Sequence, residues 1–195
     1  MKKIISSILL SVSILFLTSC EEDPVTNSKI LNNYTPYKVG AYWFYKFSTT
    51  VGSVLYLKKE VIRKESNGYY LIKESNYGIN TSSNDTTIII DTGYVRITSE
   101  GLMVNIPNEN DMYILKKPYK KGTTWSYQYS DSTIFNMEIV EDSLTYETPV
   151  RTFNLCLKVN IWWNNPFDPL WEYIFAPNVG IVKYGPYILE SYNIP

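Results

Sequence analysis

The sequence predicts an all-β protein: antiparallel strands in a sandwich or a curved, partly open barrel, built from two related units. Three observations support this fold class. Apolar and polar residues alternate along many short runs, glycine, proline and asparagine separate those runs, and one aromatic motif occurs twice. No segment longer than a turn or two has the spacing of an amphipathic helix. We therefore expect ten or more antiparallel strands.

The duplicated motif lies at residues 36–47 (PYKVGAYWFYKF) and 118–129 (PYKKGTTWSYQY), an offset of 82 residues. Proline and glycine are typical of a turn, and the Trp-x-Tyr alternation that follows is typical of a strand with one aromatic face. We expect these aromatic side chains in the core, because they bury large areas. The motif divides a predicted single domain, 36–195, into units 36–115 and 118–195.

Strand signals recur through both units. The clearest covers residues 153–163, where apolar residues alternate with polar ones and Cys156 falls on the polar face. In the run 54–64, the alternation breaks at Lys58 and Lys59, which predicts a β-bulge there. The other strand runs of the first unit are Tyr69–Glu74, Thr86–Asp91 and Tyr94–Thr98.

The first twenty residues resemble the leader of a bacterial lipoprotein. Two lysines precede the apolar run Ile4–Leu17, which is too short to span a bilayer and is typical of a signal peptide. The run ends in LTSC, which resembles a lipobox with Cys20 as its cysteine. The resemblance implies that residues 1–19 form a lipoprotein signal peptide and that Cys20 carries fatty acyl chains such as palmitate, which anchor the chain to a membrane.

Residues 20–35 are predicted to be the lipidated cysteine and a flexible polar tether, about 20 Å long on average. The acidic stretch Glu21-Glu22-Asp23 resembles the surface-export signal of lipoproteins from the Bacteroidota. These features predict a place in the cell envelope, lipid-anchored at the outer membrane. The domain would face either the periplasm or the surface.

The second unit also resembles the closing half of a family of uncharacterised β-rich bacterial lipoproteins. The resemblance rests on T-P-x-x-x-F-x-x-C-x-x-V at 148–159, on A-P-x-V-G-x-V-K at 176–183, and on the P-x-x-x-G-x-x-W-x-Y opening at 36–45. It implies an all-β extracytoplasmic domain and carries no catalytic residue. Arg151 departs from the family, which often has glycine at that turn.

Composition excludes several kinds of chemistry. The 195 residues contain no histidine, which removes Ser-His-Asp catalysis and the usual zinc sites, and a formal charge of −1 gives no reason to expect nucleic acid. No phosphate-binding loop or calcium loop is present in the sequence, so we expect no cofactor, no metal and no enzymatic activity. The remaining acid–base candidates are the carboxylate pairs Asp168/Glu172 and Asp85/Asp91.

The segment 162–171 (WWNNPFDPLW) is the main candidate binding site. Exposed aromatic rings beside amides suit sugar faces and acyl chains equally well, so Trp162, Trp163, Phe167 and Trp171 are candidate ligand-binding residues. Trp163 continues an apolar face and is expected in the core, whereas Trp162 falls on the polar face. The alternative is a loop folded back onto the core.

A cluster of four lysines between residues 116 and 121 predicts a solvated sheet edge, with contact to lipid headgroups or an anionic polysaccharide as the alternative. The resulting hypothesis is a non-enzymatic, lipid-anchored domain that binds a glycan or an amphiphile. Two alternatives stay open: a structural or assembly subunit that binds an outer-membrane protein, and a carboxylate-dependent hydrolase.

Overall fold

A computed structural model describes residues 33–49, 53–80, 86–107, 109–130, 132–163 and 171–195. These residues form twelve β-strands and no helix, so the all-β prediction of ten or more antiparallel strands is confirmed. No helix long and apolar enough to cross a membrane occurs in these ranges. The strands are β1 (Tyr42–Ser48), β2 (Ser53–Lys64), β3 (Tyr69–Asn80), β4 (Thr86–Ile97), β5 (Gly101–Val104), β6 (Met112–Lys116), β7 (Thr124–Ser130), β8 (Thr133–Glu147), β9 (Thr152–Trp163), β10 (Trp171–Ala176), β11 (Gly180–Tyr184) and β12 (Tyr187–Asn193).

All twelve strands belong to one antiparallel sheet, in the order β6-β5-β4-β3-β2-β1-β12-β11-β10-β9-β8-β7. Each half is a six-stranded meander, and the two meanders join where β1 pairs with β12. The sheet curves until its two edge strands, β6 and β7, come together. Of the two architectures that the sequence allows, the structure is the nearly closed, barrel-shaped sheet.

The seam between β6 and β7 is held by side chains of the second motif. The indole nitrogen of Trp125 donates to the carbonyl oxygen of Tyr113 at 2.8 Å. The hydroxyl of Tyr127 donates to the carbonyl oxygen of Asn110 at 2.7 Å. These bonds satisfy backbone groups at a sheet edge, which otherwise offers unpaired donors and acceptors to other chains.

The two motifs begin with the same turn. Gly40 and Gly122 have φ angles of 85° and 84°, the left-handed region that favours glycine. The amide of Gly40 donates to the carbonyl of Val61 at 2.9 Å, and the amide of Gly122 donates to the carbonyl of Ile139 at 2.7 Å. The shared sequence pattern therefore produces a shared backbone geometry.

One continuous core lies under both units. Trp43 and Tyr45 of the first motif are 3% and 1% exposed, in agreement with the prediction that the motif aromatics are core residues. Tyr127 of the second motif is also buried, whereas Tyr129 at the end of the same strand is exposed. Packing starts before the motif, because Tyr34, assigned above to the tether, is buried and donates its hydroxyl to the carbonyl of Leu155 at 2.7 Å.

The predicted bulge at Lys58 and Lys59 is wrong in position. The β2–β3 register runs unbroken through both lysines and shifts only between Val61 and Arg63. The alternation breaks at Lys59 because this lysine stands in the same row as the buried Leu57 and Val61. Lys59 therefore places a charged side chain in the apolar row on the inner face of β2.

The alternation predicted for residues 153–163 is confirmed from Leu157 to Ile161 and is wrong at Leu155 and Cys156. Leu155 has a φ of 57° and is 52% exposed, while Cys156 is fully buried. The β8–β9 register shifts on both sides of the Leu144–Cys156 pair, so these irregularities change which face each residue occupies. Cys156 is a core residue, and burial raises the pKa of its thiol to about 11.

Candidate functional site

A cavity of about 230 Å³ lies inside the curved sheet, walled by the first unit and by β10 and β11. Its wall is mostly aromatic and aliphatic. The lining includes Trp43, Tyr45, Lys59, Glu74, Tyr173 and Tyr184. A cavity of about 150 Å³ holds benzene, and drug-sized ligands need about 300–1,000 Å³, so this one suits a small molecule.

A polar row crosses the cavity wall on four neighbouring strands. The register pairs Trp43 with Lys59, Lys59 with Glu74, and Glu74 with Asp91. Residues paired directly across antiparallel strands project to the same face of the sheet. Glu74 and Asp91 also line the adjoining surface depression together with Asn105, so the outer end of the row is acidic.

Among the described residues, Lys59 is the one cation that lines the cavity. Its Nζ lies 2.9 Å from Oε1 of Glu74 and 3.9 Å from the centre of the Tyr184 ring. Burial by itself disfavours the ammonium, but Tyr184 and Glu74 outweigh burial and raise the pKa of Lys59 above its usual range. The lysine is therefore charged, and Glu74 already compensates that charge.

The floor of the cavity is aromatic and satisfied in its hydrogen bonds. The indole of Trp43 donates to the carbonyl of Val179 at 2.6 Å, and the hydroxyl of Tyr45 donates to the carbonyl of Ile181 at 2.9 Å. Tyr173 stacks on Tyr184 with ring centres 5.0 Å apart. Because the indole nitrogen of Trp43 and the hydroxyl of Tyr45 bond to backbone, these two rings present apolar surface to the cavity.

Tyr37 and Tyr45 have no acid–base role near neutral pH. Burial raises the pKa of Tyr37 to about 12 and raises the pKa of Tyr45 well above its ordinary value. The described residues contain no cluster of three or more histidine, cysteine or acidic side chains that could hold a metal ion. The arrangement is suited to holding an apolar body next to a compensated ion pair.

The candidate aromatic residues that the structure describes differ in their surroundings. Trp163 is 46% exposed, so its predicted place in the core is wrong; it stands at the end of β9 with its ring edge-to-face against Phe135 at 5.8 Å. Trp162 is half-buried in a shallow depression beside Trp125. Trp171, 44% exposed, lies beside Gly185, and Phe167 lies outside the described residues.

One member of each candidate carboxylate pair, Asp85 and Asp168, lies outside the described residues. Glu172 accepts charged hydrogen bonds from Lys158 at 2.7 Å and Lys183 at 2.5 Å. Burial favours its neutral form, but the two lysines outweigh burial and hold the pKa of Glu172 below its usual value. The two lysines therefore hold Glu172 in its charged form.

The lysine cluster stands at the β6 edge and the turn after it. Lys116 lies 3.6 Å from Glu100, while Lys117, Lys120 and Lys121 are exposed. This placement agrees with a solvated edge. The leader, with Cys20 and the acidic stretch that follows it, lies outside the described residues.

Sequence reasoning missed the cavity, although one of its signals was visible. The break in alternation at Lys59 marks a charged residue between two apolar ones on the same face of a strand. Glu74 breaks the alternation after Ile72 in the same way. Only the strand register shows that these two irregular residues are partners.

Comparison of the chain with protein-family models, curated proteins and solved structures gives no match.

Proposed function

We propose that this chain is a non-enzymatic, lipid-anchored protein of the cell envelope that binds a small amphiphile in the cavity beside Lys59 and Glu74. The observation that carries the proposal is the cavity of about 230 Å³, aromatic at its floor and polar at one wall. The envelope location rests on the lipobox-like leader that ends at Cys20.

The lining favours an amphiphile over a glycan. A sugar ring placed among Trp43, Tyr45 and Tyr173 would leave hydroxyl groups without partners, because the tyrosine hydroxyl of Tyr45 and the indole of Trp43 already bond to backbone. Each buried polar group without a hydrogen bond costs about 1–3 kcal/mol. A short acyl chain or a single aromatic ring has no such penalty.

The polar end of the ligand is expected to donate hydrogen bonds. Glu74 neutralises Lys59, and Asp91 and Asn105 stand at the outer end of the polar row. An alcohol or an amine can donate to these oxygens, whereas a carboxylate would face two acids. The proposal therefore names a neutral or cationic amphiphile with a short tail.

Binding can be tested by calorimetry with three probes of equal tail length: hexanol, hexylamine and hexanoate. We expect hexanol and hexylamine to bind more tightly than hexanoate, and glucose not to bind. Val104→Phe, which fills the cavity, should abolish binding, while Val39→Phe at a residue 52% exposed should not. Circular dichroism checks that both variants fold.

The opposite pattern contradicts the proposal. Binding of glucose that is lost in Trp162→Ala and kept in Val104→Phe would assign function to the 162–171 segment instead. Location is tested separately by protease treatment of intact cells, with Cys20→Ala as the unanchored control. Digestion in intact cells indicates the surface, and protection until the outer membrane is opened indicates the periplasm.

A structural or assembly role is the second candidate, and one observation favours it. The outer edge of β4 carries three adjacent exposed isoleucines, Ile88, Ile89 and Ile90. A surface of this kind is typical of strand-to-strand contact between chains. Co-purification of an outer-membrane protein, together with no response to the three probes, would support this role over amphiphile binding.

A further inference from the structure

The outer edge of β4 is open over most of its length. On one side, β4 pairs with β3 from Thr86 to Arg96 without a register shift. On the other side, β5 pairs only with the three residues Val95–Ile97. In the ranges that the structure describes, no strand lies against β4 between Thr86 and Gly93.

The backbone groups that face this edge follow from one hydrogen bond. The carbonyl of Tyr94 accepts from the amide of Asn105, so Tyr94 directs its backbone toward the β5 side. In an antiparallel strand the direction alternates with every residue. The residues whose amide and carbonyl groups point to the open edge are therefore Thr86, Ile88, Ile90 and Thr92.

The centre of the open edge is apolar, with threonines on both sides of it and one charged residue, Asp91. Ile88, Ile89 and Ile90 are 57%, 60% and 60% exposed. Of the usual protections of a free edge, the run Thr86–Thr92 has no lysine, proline or bulge, and its one charged residue is Asp91, on the inner face with Glu74. The β6–β7 seam, by contrast, is covered by hydrogen bonds from Trp125 and Tyr127.

We propose that this edge pairs with the same edge of a second copy of the chain, antiparallel, about a two-fold axis through Ile89. In this register, Ile88 of one copy forms a hydrogen-bonded pair with Ile90 of the other, and Thr86 with Thr92. Each Ile88–Ile90 pair exchanges two N–H···O bonds. The amide of Thr92 already donates to Oδ1 of Asp91 at 2.7 Å, so each Thr86–Thr92 pair adds one bond, from the amide of Thr86 to the carbonyl of Thr92. The axis makes the contact isologous, so the assembly closes as a dimer.

The occupant is a second copy because the run is complementary to itself. Isoleucine meets isoleucine at the centre, threonine meets threonine at the ends, and Asp91 meets Thr87, whose hydroxyl can donate to the carboxylate. The two Asp91 carboxylates lie about 14 Å apart, beyond the Debye length of about 8 Å at physiological salt. The shared segment ends at Thr92, so β5 keeps its place.

A cysteine placed on the axis tests the register directly. In the proposed pairing, the two copies of residue 89 form a non-hydrogen-bonded pair with Cα atoms about 4.5 Å apart, within the range of a disulfide. We expect the full chain with Ile89→Cys to give mostly a disulfide dimer after mild oxidation in the membrane. Ile97→Cys, at an exposed residue of the same strand that β5 covers, should stay at the background of the parent chain.

Removing a backbone hydrogen-bond donor from the open edge of β4 should abolish the dimer. The amide of Ile90 points to the open edge, so Ile90→Pro deletes a donor to the second copy and leaves the β3 ladder intact. We expect its addition to Ile89→Cys to abolish the cross-linked band. Sedimentation equilibrium in detergent should shift from two chain masses for the parent to one for Ile90→Pro. Circular dichroism checks folding.

If the proline variant is unfolded, Ile88→Lys together with Ile90→Lys replaces it, because these substitutions place like charges opposite each other across the axis. The proposal is overturned if Ile89→Cys cross-links no more than Ile97→Cys. It is equally overturned if the edge-breaking variants keep the dimer. A mixed disulfide with a different envelope protein would assign the edge to that partner instead of a second copy. None of these outcomes depends on the cavity binding a ligand.

Discussion

Gly40 and Gly122 open the two copies of the motif with nearly equal backbone angles, and the Trp-x-Tyr pair that follows donates two side-chain hydrogen bonds to backbone in each copy. The surroundings of the two copies differ. Strand β1 is central, between β12 and β2, and its aromatics form the cavity floor. Strand β7 is an edge strand, and its aromatics hold the seam to β6.

The difference shows that local sequence determines a strand and its hydrogen-bond donors but not their acceptors. The indole of Trp43 reaches the carbonyl of Val179, just before β11, two strands away in the sheet. The indole of Trp125 finds its acceptor on β6, across the seam. One motif thus lines a cavity in the first copy and closes the sheet in the second.

The largest expected effect is the difference in stability between variants that lack the tryptophan of one motif or the other, Trp43 or Trp125. Trp43→Ala removes a fully buried ring and should lower the free energy of unfolding by about 3–5 kcal/mol. Trp125→Ala removes a half-buried ring and one seam hydrogen bond, and should cost about 1–3 kcal/mol. Urea unfolding of both variants measures the difference, and equal losses would contradict the contrast between cavity floor and seam.

The two turns should respond alike. Gly40→Ala and Gly122→Ala each force a side chain into the left-handed region, at a cost of about 1–2 kcal/mol. A Cβ at Gly122 meets nothing within 4 Å, and one at Gly40 meets only Pro195 at 3.6 Å, so the backbone term dominates in both. Thermal unfolding measures both variants, with Gly78→Ala inside a strand as the control that should not lose stability. A large asymmetry between the two turns would show that their equivalence is superficial.

The ion pairs of the two units should differ in pH dependence. The lowered pKa of Glu172 means that its two ion pairs stabilise the fold above the ordinary pKa of about 4.3, and that this stability is lost as pH falls through the lowered value. The raised pKa of Lys59 places the corresponding loss in the first unit at strongly alkaline pH.

Glu172→Gln should therefore reduce the loss of stability on acidification by about 1 kcal/mol, the upper range for a partly exposed pair. The measurement is the urea midpoint between about pH 6 and pH 3. Glu190→Gln, at a partly exposed residue that forms no ion pair among the described residues, is the matched control. If Glu172→Gln loses as much stability on acidification as the parent chain, Glu172 is not the cause of that loss.

The smallest effect concerns the end of β9. Trp163→Ala removes a ring that is 46% exposed and touches Phe135 edge-to-face, so the expected loss is about 0.5–1 kcal/mol. Comparison with Trp43→Ala in the same urea titration places the two tryptophans on one scale. A loss of stability as large as that of Trp43→Ala would indicate that Trp163 is a core residue, as the sequence predicted.

Strand alternation predicted most of the strands because side chains alternate faces wherever the backbone is extended. It failed at Leu155, where a positive φ changes the faces of Leu155 and Cys156. The carbonyl of Leu155 accepts from Tyr34, a residue 121 positions away, which no local pattern reveals. The same limit explains the misplaced bulge near Lys59.

The candidate site was predictable only in its residue types. Aromatic abundance predicted an aromatic surface, and the cavity is lined by Trp43 and Tyr45, which the sequence predicted only as core residues. Residues 164–170 of the predicted segment lie outside the described residues. Lys59 and Glu74 lie on the two strands of one hairpin, β2 and β3, and are far apart in the chain. Their pairing depends on the β2–β3 register, which is set by the turn and by packing on the sheet face.

The sequence by itself determined the fold class, the duplicated turn-and-strand motif and the absence of histidine chemistry, because these depend on residue types and on contacts between near neighbours. The tertiary structure decided the rest: which aromatic rings surround a cavity, where the lysine of β2 finds its carboxylate, and which edge of the sheet stays open. These features depend on register and curvature. Both arise from the packing of strands far apart in the chain, so no single segment encodes them.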